Sequence, residues 1–192
     1  MARRSAAVVL NLLVLWPVAT AATSSTEAEP PFRVSNDPEV CVLKVEKSGG
    51  ATMRKTTYEL FGDGRLVGSV VSGYASGTPE LVFTEALSLD DYDRLVADLV
   101  HSGLMEYDER VQNARFARVA FPTDEATVRV TLRLESYDGH TGDAAGAVEH
   151  SFAIYAPGYR ARQFPDVQEL AAVDRLIGRL HDIHRQHRSE KQ

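Results

Sequence analysis

Histidine, cysteine and carboxylate side chains are where chemistry would have to begin in this chain, and their spacing decides how far it could go. His181, His184 and His187 recur at every third position near the C-terminus. On a helix, steps of roughly 300° spread three such residues over about 120°, so two could share a metal ion and three would fit poorly. No His-Glu-x-x-His pattern accompanies them, and Arg179, Arg185 and Arg188 would repel a cation. The expectation is a frayed, solvated helix end whose charge suits the helix dipole, with no metal and no cofactor.

The other candidates have equally plain structural readings. His150 alternates with Val148, Phe152 and Ile154, as a core histidine bonded to backbone would. His140 lies in Asp138-Gly139-His140-Thr141-Gly142-Asp143, which offers two carboxylates but misses the ligand order of a calcium loop. Cys41, between Val40 and Val42, is the single cysteine, so it makes neither an internal disulfide nor a four-cysteine zinc site. It reads as a small buried thiol. Gly62-Asp63-Gly64-Arg65-Leu66-Val67-Gly68 looks like half of a phosphate loop. Strand-like residues follow where a helix would have to open, so a hairpin is expected there. No catalytic residue is assigned. What remains for recognition is the aromatic and basic run Tyr155, Tyr159, Arg160, Arg162 and Phe164, together with the 137–147 loop.

These residues hang on elements that the hydrophobic period predicts. Alternation over Glu39 to Glu46 puts Cys41, Leu43 and Val45 on one side of a first strand. Thr52 to Phe61 and Arg65 to Ser72 flank Gly62-Asp63-Gly64 as a hairpin, and Leu81 to Leu87 is a short extended segment. Ser88 caps a helix carrying Tyr92, Leu95, Val96, Leu99 and Val100 on one face, with Gly103 as its stop. Met105 to Phe121 has no clear period and reads as irregular. Val128, Val130, Leu132 and Leu134 mark another strand, and Val148 to Tyr155 pairs back with it. A final helix is expected from Pro165, buried along Val167, Leu170, Val173, Ile177 and Leu180. The predicted fold class is α+β: an antiparallel sheet of five to six strands with two helices packed on one face.

Composition sets the outer bounds. The 192 residues are 44% hydrophobic and 25% charged, which suits one globular domain plus extensions. A formal net charge of −6 argues against nucleic-acid partners, because binding phosphates needs a basic face. Arg3 and Arg4, the apolar run from Ala6 to Val18 and Ala19-Thr20-Ala21 describe a secretory signal peptide over 1–21. Its loss would remove Trp16, the only tryptophan, and two positive charges, leaving the chain at −8. Residues 22–38 read as a flexible linker, 39–187 as a single domain and 188–192 as a disordered tail.

The Gly-Asp-Gly hairpin from Tyr58 to Leu66, Leu87-Ser88 with Tyr92 and Leu95, Gly103-Leu104, Thr123-Asp124-Glu125 and Phe164-Pro165 form a pattern. In that pattern the chain resembles a group of bacterial secreted α+β domains of unknown function. The resemblance implies a fold and carries no catalytic residue. The Cys-x-x-Cys-Pro start of such domains is missing here, where Cys41 stands alone, so no redox pair is implied. The expected function is a secreted or periplasmic binding module for an envelope protein or a small ligand, free of the membrane once cleaved. The alternative is a small histidine- or metal-dependent hydrolase using His150 with His140 or with Asp138 and Asp143.

Overall fold

A computed structural model describes residues 31–50, 54–72, 78–117, 119–120, 122–138 and 147–189. The expected signal peptide and the His140–Asp143 part of the calcium-like loop lie outside the described residues. Strands β1 (Phe32–Arg33), β2 (Cys41–Gly49), β3 (Arg54–Phe61), β4 (Arg65–Ser72) and β5 (Glu80–Ala86) come first. Helix α1 (Leu89–His101), a 3-10 turn (Leu104–Glu106) and α2 (Glu109–Phe116) follow. Next are β6 (Ala126–Leu134), β7 (Ser136–Tyr137), β8 (Val148–Tyr155), α3 (Pro157–Gln163) and α4 (Gln168–Ser189). The class is α+β. Six strands form one antiparallel sheet in the order β5-β4-β3-β2-β6-β8, and β1 pairs with β7.

The alternation read from the sequence sets the sheet's two faces. Ala126, Val128, Val130, Leu132 and Leu134 are buried on β6, while Arg129 and Arg133 are exposed between them. Register places Val130 opposite both Val45 and Phe152, so the buried side chains of β2, β6 and β8 share a face. That face forms one core with Leu95, Val96 and Leu99 of α1 and Leu170, Val173 and Leu180 of α4. At about 25 cal/mol per Å² of apolar surface removed from water, this cluster is the main stabilising term.

Helix α1 follows its local signals. The Asp91 amide donates to Ser88 Oγ at 3.1 Å, and that hydroxyl donates to Asp91 Oδ2 at 2.7 Å. Gly103, at φ 79°, ends the helix in the left-handed conformation, and Leu104 folds into the core. Arg179 of α4 bonds Asp91 at 3.2 Å, tying the two long helices together.

Several expectations need correction. Among the described residues four helices are present, rather than two. The stretch read as irregular contains the 3-10 turn and α2, which Asp108 caps by accepting from the Arg110 and Val111 amides. The final helix begins at Gln168, not Pro165, because a turn holds Phe164 to Val167 and the Val167 amide donates to the Phe164 carbonyl. A separate helix, α3, precedes it. Ala156, at φ 50°, makes the corner from β8 into Pro157. Helix α4 runs to Ser189, into the stretch read as a tail.

The stretch read as a linker is tied down in its described part. Glu135 donates its amide to the Arg33 carbonyl at 2.8 Å, and the Tyr92 hydroxyl donates to the Ser35 carbonyl at 2.8 Å. Ser35 and Asp37 carbonyls pass 2.6 Å from where a Cβ on Gly62 would stand, so only glycine lets this segment cross the hairpin.

Candidate functional site

The run read as a recognition surface is partly buried and partly exposed. Arg160 is buried, 7% exposed, and its Nη1 donates to Asn113 Oδ1 at 3.3 Å. Its guanidinium lies 4.4 Å from the centre of the Phe116 ring. Burial holds its pKa below the ordinary arginine value, against the opposing pull of Tyr107, Glu109 and Tyr155. Tyr155 is half-buried, donating its hydroxyl to the Pro122 carbonyl and accepting from the Glu125 amide at 3.3 Å. Tyr159 donates to the Ala120 carbonyl at 3.4 Å. Arg162 is exposed. These contacts brace α3 against α2, and the Arg160 cation faces inward.

His150 and Cys41 are also occupied with structure. His150 Nε2 lies 3.0 Å from the Tyr107 carbonyl, the backbone bond expected of it. Three residues along β8, the Ala153 amide donates to Glu109 Oε2 at 2.8 Å, so the segment before and within α2 satisfies that edge of the sheet. Cys41 is half-buried rather than buried. A bulge between Cys41 and Leu43 breaks the alternation, so Val42 and Leu43 both turn into the core. The thiol donates to the Leu43 carbonyl at 3.4 Å, and burial, then Glu59, raise its pKa. A raised pKa keeps sulfur in the unreactive thiol form.

The C-terminal histidines are where sequence and structure differ most. They were expected to be solvated, yet α4 lays them against the sheet. The His187 ring stacks on Phe83 with centroids 5.2 Å apart and planes 2° from parallel, and its Nε2 meets Glu85 Oε2 at 2.9 Å. His184 sits 5.8 Å from the Phe83 ring, with Nδ1 3.3 Å from the Tyr58 hydroxyl. Burial pushes the Tyr58 phenol up to about 12, so it stays protonated and able to donate.

Beside these rings an open groove of about 530 Å³ lies between β3 and α4. Thr56 and Tyr58 line one wall, and Gly178, His181, Asp182, His184 and Arg185 the other. Gly178 has nothing within 4 Å of where a Cβ would be, which leaves the helix wall low at that point. His181 is held below the ordinary imidazole value by burial first, then by Lys47, His184 and Arg185, with Asp182 opposing.

The missed signal was in the period itself. Leu170, Val173, Ile177 and Leu180 continue with the same alternating steps of three and four to His184 and His187. Among the described residues, no three His, Cys, Asp or Glu side chains form a group able to hold a metal ion. No helix among them is long and apolar enough to cross a membrane. No protein-family model matches the chain, and no curated protein is significantly similar to it.

Proposed function

We propose that the protein is a non-enzymatic binding module, exported by its signal peptide, that receives a small ligand in the groove between β3 and α4. The observation that carries this reading is the groove itself. It opens beside a fixed mosaic of Tyr58, Phe83, His184 and His187, and rigid aromatic and imidazole walls with a few polar groups suit a binding site. Helix α4 supplies one wall of the groove and, with α1, covers one face of the sheet. Around Arg160, by contrast, the cation is buried against Phe116, which gives a binding reading there less support. The hydrolase alternative has less support, since His150 is engaged by the Tyr107 carbonyl.

NMR titration with a small-molecule set tests the reading. Resonances of Thr56, Tyr58 and His181 are expected to move while those of Tyr159 and Arg162 stay still. Ester or phosphate-monoester hydrolysis that His150→Gln abolishes would overturn it, as would a set that perturbs nothing in the groove. Export has its own check: the mature protein should begin at Ala22 and show no tryptophan emission, because Trp16 is removed.

A further inference from the structure

We infer that this groove is an anion site, taking a small oxyanion, phosphate or carboxylate, between Lys47, His181 and Arg185. The inference rests on the binding-module reading and names its ligand class. Lys47 pairs with Thr56 directly across β2 and β3, so both side chains leave the sheet on the face that Val45 and Tyr58 bury. Arg54, two residues before Thr56, belongs to the same face by alternation, and so does Glu80 of β5, which pairs with Val70 opposite Thr56. At this end the core has run out, and α4 passes over with His181, His184 and Arg185.

Among the described residues around the groove, the cations and potential cations are Lys47, Arg54, His181, His184 and Arg185. The one carboxylate in its wall is Asp182, which Arg185 already engages. Glu85, across on β5, is engaged by His187, and the Tyr58 phenol is neutral. With the imidazoles neutral, Lys47, Arg54 and Arg185 are balanced by Asp182, Glu80 and Glu85, so the groove turns positive only as its histidines protonate, in a chain of net charge −6. Its field is felt by His181, whose proton is disfavoured by Lys47, His184 and Arg185 in addition to burial. An oxyanion would remove that penalty and accept from the Thr56 hydroxyl, the imidazole and the guanidinium. Binding and protonation of His181 are therefore linked, and acid favours the bound form.

The test is NMR of the imidazole C2–H signals from pH 8 to 5, with phosphate, then citrate, against chloride at equal ionic strength. Bound oxyanion should raise the pH midpoint of His181 by about one pH unit, which requires affinity to rise about tenfold on acidification. Lys47→Gln should weaken binding several-fold. Asp182→Asn should strengthen it, a gain that no folding defect imitates. Arg133→Gln, on the opposite face of β6, should change nothing. Phosphate without citrate, or the reverse, identifies the oxyanion and supports the inference. A His181 midpoint that responds to chloride as much as to either oxyanion overturns it. Uncharged compounds that bind the groove while oxyanions do not overturn the anion site and leave the binding module standing.

Discussion

The ring of Phe83 fills the space above Gly68: a Cβ on that glycine would stand 2.2 Å from ring Cε1. Gly68 and Phe83 are register partners on β4 and β5, next to a bulge that inserts Val82 into the edge strand. The glycine lets Phe83 lie over the sheet, and the ring in turn is the surface on which His187 stacks. A glycine inside a strand thus marks a close approach.

Gly68→Ala should destabilise the protein by about 1–3 kcal/mol, because the ring is backed by His187 and cannot yield freely. The measurement is a urea unfolding curve, read as a lower midpoint at unchanged slope. Adding Phe83→Leu should recover part of the loss, since the smaller side chain makes room. Strictly additive costs would show that the two residues do not compete for one space.

Arg160→Ala and Arg162→Ala separate a buried cation from an exposed one two residues away. Arg160→Ala loses the Asn113 bond and the Phe116 contact and should cost roughly 2–3 kcal/mol. Arg162→Ala should stay within about 0.5 kcal/mol of the parent. Equal effects in thermal or urea unfolding would contradict the burial of Arg160.

Local signals were legible where one element carries both cause and effect. The Ser88 cap, the α1 stripe, the Gly64 turn and the β6 alternation all follow from neighbours in sequence. The burial of Arg160 was not legible, for a different reason. Nothing near Arg160 in the sequence announces that Asn113 and Phe116, on α2, will enclose it. Cys41 failed because a bulge shifts the period by one residue without a glycine or proline to mark it. The histidine cluster was legible in part: its spacing continues the α4 stripe, but imidazole is polar enough to look like a solvated end. Its partners Phe83 and Glu85 come from a distant edge strand, which no local pattern supplies.

Tyr92→Phe tests whether the segment before β2 belongs to the domain. Losing the hydroxyl leaves the Ser35 carbonyl unpaired in a buried position and should cost about 1–2 kcal/mol. A chain starting at Glu39 should lose more, because the pairing of β1 with β7 goes as well. If truncation leaves the unfolding midpoint unchanged, residues 31–38 are a tether after all.

His181 makes stability depend on pH in a window where carboxylates do not. Its folded-state pKa lies below the ordinary 6.5, because burial and then Lys47, His184 and Arg185 disfavour the imidazolium. The unfolded chain therefore binds more protons than the folded one as pH falls through 6.5, and stability must decline with acidification. The decline from this group ends once His181 protonates in the folded state too. Glu46 and Asp91 titrate lower. Lys55 holds the Glu46 carboxyl below its ordinary 4.5, and Ser88 holds that of Asp91 below 3.8, so their losses begin only in stronger acid. Urea midpoints measured from pH 8 to 5 should fall, and His181→Gln, which keeps a polar side chain without the titration, should flatten the slope. A variant that retains the full slope would assign it to the other histidines and leave His181 without a part in the acid response.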